Sequence, residues 1–290
     1  MHGYGKPRFR RGEDTDGRIP YRGDLENNGH FSENIMLVFL TMLAMGGLIG
    51  FVGAGGAGVV IAVLTLVFGI PIHTAVGTSL AAMIFTTLAG AFSHFREGNL
   101  NVKVGATVGI AGAAGAFIGS KISTLLPATE LKYCTATMLV ASAVLVYTRL
   151  TWPDLPLFHT KEGQKPVTDG GRFWILATLA GIGNGLLSGT FGFGAAQFIQ
   201  LSLLIFFAMP LFQSVGTTML IILPIATFGG FGYLLSGYLD FMLFIQVLLG
   251  LMTGAYMGAK FTRHAPRWFL KWMMVLLPGV AGVLMIVMNR

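Results

Sequence analysis

Two long stretches of the chain contain no charged residue, and they limit what the chain can fold into. Neither residues 34–95 nor residues 173–239 include an Asp, Glu, Lys or Arg. A helix crosses the ~30 Å hydrocarbon layer of a bilayer with about 20 apolar residues, so each long run holds two or three membrane spans. Shorter charge-free runs cover 104–120, 133–148, 241–259 and 272–289, and each fits one span once the flanking Lys and Arg side chains snorkel outward. The pattern predicts an all-α polytopic protein of the cell membrane.

Composition excludes the main soluble classes. Hydrophobic residues make up 54% of the 290 residues and charged residues only 11%, against roughly 25% charged in a soluble domain. Cys134 is the only cysteine, which rules out a disulfide scaffold and a thiolate metal site. No Walker-type phosphate loop occurs, and Ser188 lacks the preceding glycine of an intramembrane serine-protease motif. A membrane-embedded enzyme is therefore a less favoured function for this chain. We expect no catalytic residue, no metal and no cofactor.

The first 33 residues differ in character from the rest of the chain. They hold six basic and six acidic residues, which cancel, and they are otherwise rich in glycine and polar side chains. Such a segment has little to bury, so residues 1–33 are predicted to form a disordered, charged N-terminal tail. They lack the short apolar core of a signal peptide. Because the acids cancel the field of the arginines, we expect no nucleic-acid partner.

The second half of the chain repeats the first at a constant offset of 139 residues. This offset takes Pro71 to Pro210 and Lys121 to Lys260, and it keeps many glycines and threonines in the same register. A fixed register of this kind indicates an internal duplication. The predicted organisation is a first membrane repeat, a polar linker and a homologous second repeat, at 34–149, 150–172 and 173–290.

A glycine-rich break follows the first span of each repeat, at residues 53–58 and 189–194. The apolar segment between the first break and Pro71 is too short for a comfortable crossing and fits a re-entrant or glycine-broken helix. Each repeat thus has four to five membrane segments. Whether the short segment crosses the membrane decides whether each repeat has an odd or an even number of spans, and so whether the two repeats are inverted or parallel. The sequence leaves this open. One markedly basic loop suggests a cytoplasmic face, through Lys260, Arg263, Arg267 and Lys271.

Paired breaks at equivalent positions of a duplicated membrane protein indicate the substrate site of a transporter. A helix that restarts after glycines directs unpaired N–H groups and its positive dipole end at the break, which favours an anion. The charge-free runs also contain no carboxylate that would bind a cation, which favours an anionic or neutral substrate. The candidate substrate-binding residues are Gly53, Gly55, Gly56, Thr78, Ser79, Gly192, Gly194, Gln197, Thr217 and Thr218.

Most of these features also have a purely structural interpretation. Glycines in membrane helices usually form close-packing surfaces, which is the interpretation we favour for the Gly105–Gly119 series and for Gly254 and Gly258. Serine and threonine hydroxyls often bond back to their own helix. His73 or His94 would be the carrier of a coupling proton, although a packed histidine is the simpler interpretation. Residues Lys121 and Lys260 are expected to snorkel, and Cys134 to act as a small apolar residue.

The motifs of both halves resemble one family. An apolar stretch follows the first glycine cluster, then come an Ala-Val-Gly-Thr-Ser run, a histidine near a helix end, a Gly-Asn turn and a Gly-x-x-x-Gly helix. In this chain these are Ala75–Ser79, His94, Gly98 with Asn99, and Gly115–Gly119, while the second copy keeps Gly189–Gly194 and Val215–Thr218. The order and spacing are similar to those of the TauE/SafE sulfite exporter family, also called the 4-toluene sulfonate uptake permeases, over about 34–290.

The resemblance implies a secondary transporter of small sulfur-containing anions such as sulfite or organosulfonates, working by alternating access. Its expected partners are a small anion and the lipid bilayer, with a coupling proton and a homo-oligomer left open. An anion channel, or a transporter of a non-sulfur organic acid, is the alternative. The chain departs from the family pattern in lacking a proline soon after either glycine cluster, in Ala195 and Ala196, which replace glycines, and in the charged tail.

Overall fold

A computed structural model describes residues 28–52, 57–152, 170–193, 195–262 and 267–288. The described residues form helices and no strand. The contacts within residues 38–290 make them one compact unit, distinct from residues 1–37. The helices are α1 (Asn28–Val52), α2 (Ala57–Leu66), α3 (Ile72–Arg96), α4 (Val102–Leu125), α5 (Ala128–Thr151), α6 (Gly171–Phe191), α7 (Ala196–Phe207), α8 (Leu211–Leu235), α9 (Phe241–Thr262) and α10 (Arg267–Val287).

Local chemistry explains where several helices begin. Pro71, Pro127 and Pro210 stand immediately before α3, α5 and α8, where the missing N–H of proline costs nothing. Asn101 caps α4, because its side chain accepts from the backbone N–H of Val104 at 3.1 Å. Asp240 caps α9 in the same way, through the N–H of Met242 at 2.9 Å.

Five described helices are long and apolar enough to cross a membrane: α3, α4, α5, α6 and the 213–235 part of α8. Shorter apolar stretches occur in the other helices, including the whole of α2 and α7, which have 10 and 12 residues. The prediction of an all-α, multi-pass membrane protein is confirmed. Helix α1 begins at Asn28, inside the predicted tail. Residues 1–27, and most of the linker predicted at 150–172, lie outside the described residues.

Helices α3 and α8 pack against each other in opposite directions. A β-carbon at Gly77, near the start of α3, would lie 2.9 Å from Cβ of Tyr233, near the end of α8. A β-carbon at Gly90, further along α3, would lie 3.9 Å from Cβ of Met219, which is earlier in α8. Because later positions of α3 meet earlier positions of α8, the pair is antiparallel.

Glycines bring α4 close to both α6 and α8, and these three helices run in the same direction. A β-carbon at Gly105 would be 2.6 Å from the Leu220 side chain, and one at Gly109 would be 2.8 Å from Pro224. A β-carbon at any of the α4 glycines would meet a neighbouring helix within 3 Å, which confirms the predicted close-packing surface: Gly105, Gly109, Gly112, Gly115 and Gly119. Gly254 of α9 packs on α1 in the same way. The surroundings of Gly258 lie outside what the structure describes.

Candidate functional site

The second glycine break joins α6 to the short helix α7. Helix α6 ends at Phe191, and Gly192 closes it with a left-handed backbone (φ 73°) while donating its N–H to the carbonyl of Ser188 at 2.7 Å. Ala195, the residue before α7, is also left-handed (φ 48°), which is uncommon for a residue with a β-carbon. Gly194 lies outside the described residues.

The second break packs on helices from the first half of the chain. A β-carbon at Gly192 would overlap the Val76 side chain of α3 and lie 3.1 Å from Cδ1 of Ile61 in α2. Gly192 is therefore required twice, by its positive φ and by its neighbours. The break thus lies against α2 and α3 rather than against its own half alone.

Tyr233 ties the end of α6 to α4 and α8. Its hydroxyl is fully buried and lies 2.6 Å from Oγ of Ser123, 3.1 Å from the carbonyl of Gly189 and 3.2 Å from that of Thr190. These carbonyls belong to the last turn of α6, where no later residue of the helix supplies an N–H group for them. His73 donates from Nε2 to the carbonyl of Ser123 at 3.0 Å and stacks on Tyr238, so the histidine is packed, in agreement with the simpler interpretation.

Of the first break, the structure describes only the helix that follows it. Gly53, Gly55 and Gly56 lie outside the described residues. The carbonyl of Ala57, the first residue of α2, accepts a hydrogen bond from Oγ of Ser79 at 3.3 Å. Ser79 is the eighth residue of α3, so α2 begins about 10 Å along that helix rather than at its end. Ser79 therefore contacts the first residue of α2.

The threonine candidates fall into two groups. Thr217 and Thr218 donate to carbonyls of their own helix, those of Gln213 and Ser214, both at 2.7 Å. Thr217 also accepts from the N–H of Asn101 at 3.0 Å. Thr78 differs, because its hydroxyl is fully buried and has no hydrogen-bond partner among the residues that the structure describes. An unpaired buried hydroxyl is costly unless something else binds it.

Gln197 lies on a small cavity beside α5. The cavity has a volume of about 10 Å³ and is lined by Leu145, Val146, Arg149, Gln197, Leu201 and Leu204. One turn further along α7, Oε1 of the buried Gln200 accepts from Nη1 of Arg149 at 2.7 Å. Sequence reasoning missed Arg149, although its position at the edge of the charge-free run 133–148 was a signal.

Lys121 bridges two helices instead of only snorkelling. Its Nζ donates to Oγ of Ser236 at 2.9 Å and to the carbonyl of Gly232 at 3.3 Å. Its predicted counterpart, Lys260, has its side chain outside the described residues. Cys134 is exposed on α5 rather than packed in the core. Among the residues that the structure describes, no group of three or more His, Cys, Asp or Glu side chains is placed to hold a metal ion.

Comparisons with known proteins agree on a class of protein. The sulfite exporter TauE/SafE family matches residues 38–285. The chain is 49% identical over 251 residues to the probable membrane transporter protein YdhB of Bacillus subtilis (strain 168), covering 87% of this chain and 100% of that protein. It is 27% identical over 211 residues to the probable membrane transporter protein YjnA of the same organism, covering 70% and 82% of the two chains. No solved structure matches.

The family match covers most of the chain, including both glycine breaks and every described helix from α2 to α9. The relatives are named as membrane transporters, and the structure supplies several helices able to cross a membrane. This multi-pass membrane protein therefore belongs to the TauE/SafE sulfite exporter family.

Proposed function

We propose that this protein is a secondary transporter of small sulfur-containing anions such as sulfite or organosulfonates, working by alternating access around a site between two repeats. The observation that carries the proposal is the position of the second break, where Gly192 packs on Val76 and Ile61 of the other half. A site formed by an unwound segment of one half against helices of the other can open to either side when the halves move.

The proposed repeats are residues 34–149 and 173–290, and equivalent residues make equivalent contacts. Gly77 packs on Tyr233 and on the carbonyl of Tyr238. The positions offset by 139 residues do the same, since Gly216 packs on His94 and on the carbonyl of Asn99. The left-handed residues match as well: Gly98 with Gly237, and Gly69 with Ala208.

The antiparallel packing of α3 and α8, which are equivalent helices, supports inverted repeats. A two-fold axis along the membrane normal would leave equivalent helices parallel, whereas an axis in the membrane plane reverses them. Because α6 and α8 run in the same direction, both begin on the same side of the membrane. The segment that joins them therefore crosses back to that side. Phe207 at the end of α7 accordingly packs its ring on that of Phe173 near the start of α6, with centroids 5.9 Å apart. We therefore favour a glycine-broken crossing over a re-entrant segment.

The short helices direct their N-termini at the interior. Helix α7 has 12 residues, about 18 Å, and α2 has 10, about 15 Å, so each covers only about half of the bilayer. Helix α2 begins beside Ser79, two turns inside α3. A helix N-terminus in a low-dielectric interior attracts an anion, and the buried, unpartnered hydroxyl of Thr78 offers a donor in the same part of α3.

Counterflow of labelled sulfite in proteoliposomes tests the proposal. Vesicles loaded with unlabelled sulfite should accumulate the label transiently and saturably, with taurine, sulfoacetate, thiosulfate, sulfate and acetate as competitors. Gly192→Leu should abolish the exchange, whereas Gly183→Leu should retain it, because a β-carbon at position 183 of the same helix meets nothing within 4 Å. Flux without stimulation by internal sulfite would indicate a channel. Exchange of acetate but of no sulfur anion would make the substrate a non-sulfur organic acid.

A further inference from the structure

A half-buried cation near the end of α5 has no acidic partner among the residues that the structure describes. Arg149 belongs to α5, one of the helices able to cross a membrane, and is half-buried. Toward the residues that the structure describes, its guanidinium donates from Nη1 to Oε1 of Gln200 at 2.7 Å. Within the described ranges, no Asp or Glu lies within salt-bridge distance of it. A guanidinium that is partly withdrawn from water is stabilised when a counter-charge and further acceptors meet its remaining N–H groups.

The side chains around Arg149 are suited to an anion. Gln197 lines the same cavity, and Gln200 lies one turn further along α7. Both amides carry an NH₂ group that can donate to an anion once it turns. Both residues lie in the first half of α7, near the N-terminus that follows the second break, where the helix dipole adds positive potential. The cavity of about 10 Å³ is large enough for one water molecule or one anion oxygen.

This cluster joins α5 of the first half to α7 of the second half and has no polar counterpart at the equivalent positions. At the 139-residue offset, Met288 corresponds to Arg149, Ile61 to Gln200 and Gly58 to Gln197. The equivalent positions are therefore apolar, and Ile61 packs in the core without exposed surface. Helices α2 and α10, the equivalent pair, contact each other without an arginine or a glutamine at these positions, so contact alone does not require the polar set.

We propose that Arg149, with Gln197 and Gln200, binds the transported anion, an inference that rests on the proposed transport function. The ligand class is a small oxyanion in which two oxygens match the planar fork of the guanidinium, as in a sulfite, a sulfonate or a carboxylate. The anion displaces Oε1 of Gln200 from Nη1, and the amide of Gln200 turns to donate to it. The cavity admits one oxygen, so binding of the whole anion moves Gln200 or α7.

The sharpest variant is Gln200→Glu, which places a carboxylate where the amide oxygen accepts from Arg149. The new carboxylate pairs with Arg149, so the fold is kept, but it competes with the ligand. Affinity for sulfite, measured as the shift of thermal midpoint of the purified protein with sulfite concentration, should fall about tenfold to hundredfold. Arg149→Gln should have the same effect, and Arg149→Lys should retain part of the affinity. Lys121→Gln is the matched control, since it removes a helix-bridging cation elsewhere and should leave the affinity within about twofold.

Each result decides the assignment. The assignment is supported if Gln200→Glu loses affinity for sulfite and Lys121→Gln retains it. If Arg149→Gln fails to fold, the result for Gln200→Glu is sufficient. Unchanged affinity in Gln200→Glu overturns it, even where wild-type counterflow of sulfite is normal and the transport function stands. The assignment is also overturned if sulfite, methanesulfonate and acetate all fail to stabilise the wild-type protein. The counterflow assay then tests the transport function separately.

Discussion

Gly77 lies directly against Tyr233, so that a β-carbon at position 77 would stand 2.9 Å from that of the tyrosine. The equivalent pair, Gly216 and His94, shows a corresponding distance of 2.8 Å. Both contacts are closer than real β-carbons approach, and they lie at opposite ends of the α3–α8 pair. These two glycines permit the close approach of the helices that we propose to be related by inversion.

Adding a methyl group at either glycine should therefore destabilise the protein. Gly77→Ala and Gly216→Ala should each lower the free energy of unfolding by about 1–3 kcal/mol, because neighbouring backbone carbonyls cannot move aside. Unfolding in mixed micelles of detergent and SDS measures this. Gly183→Ala, where the methyl group meets nothing within 4 Å, is the control and should be neutral or slightly stabilising. Equal effects at all three positions would show that the α3–α8 contact is not the cause.

The ends of the two short helices allow a test of backbone strain alone. Gly69 follows α2 with φ 64°, and the equivalent Ala208 follows α7 with φ 48°. A left-handed residue with a β-carbon costs about 1–2 kcal/mol relative to glycine. Ala208→Gly should therefore raise the free energy of unfolding by about 1 kcal/mol, and Gly69→Ala should lower it by a similar amount, since its methyl group would meet no atom within 4 Å. Changes of the same sign in the two variants would contradict this account.

The hydroxyl of Tyr233 should stabilise the end of α6. Tyr233→Phe removes the contacts to Ser123, Gly189 and Thr190, and we expect a loss of about 1 kcal/mol, the typical scale of a hydrogen bond between membrane helices. A double-mutant cycle with Ser123→Ala should show coupling, since the two hydroxyls share one network. Tyr256→Phe, at a tyrosine that is 76% exposed, should have no effect. Additive losses at positions 233 and 123 would show that the hydroxyls do not interact.

The glycine at the second break should be sensitive for two separable reasons. Gly192→Ala introduces strain at φ 73° and an overlap with Val76, so the free energy of unfolding should fall by about 2 kcal/mol or more. Adding Val76→Ala should remove the overlap but leave the backbone strain. The combined loss should thus be smaller than the sum of the single losses, measured in the same unfolding assay. Strictly additive losses of unfolding free energy would show that Val76 does not interact with Gly192.

The sequence predicted the helices well because their cause is local. Charge-free runs mark where a chain can lie in hydrocarbon, and Pro71 and Pro210 mark where the next helix starts. The direction of packing was not predictable, because a 12-residue apolar segment satisfies both a broken crossing and a re-entrant loop. Contacts such as that of Gly90 with Met219 supply the direction.

The candidate site was harder to predict, because it depends on where side chains point. Every helical threonine has a carbonyl of its own helix within reach, and Thr217 and Thr218 use it. Arg149 resembles an ordinary charge at a helix end in the sequence, and only the structure shows that its guanidinium meets Gln200. Gln197 was singled out for the second break, and it lies on the cavity beside that arginine.

The central claim is that α3 and α8, which are equivalent helices in the proposed repeats, run in opposite directions, since the proposed site between inverted repeats depends on it. Disulfide cross-linking tests this most directly, in a Cys134→Ser background that removes the only native cysteine. Gly90→Cys with Met219→Cys places the two β-carbons 3.9 Å apart, within the range of about 3.5–4.5 Å that a disulfide requires.

Gly90→Cys with Gly229→Cys is the matched control, because a parallel arrangement would bring these equivalent positions together. In the antiparallel arrangement Gly229 packs on Leu80 instead, ten residues or about 15 Å along α3 from position 90. We predict rapid oxidation of the 90–219 pair in membranes and none of the 90–229 pair. Oxidation of the 90–229 pair without the 90–219 pair would contradict the inverted arrangement.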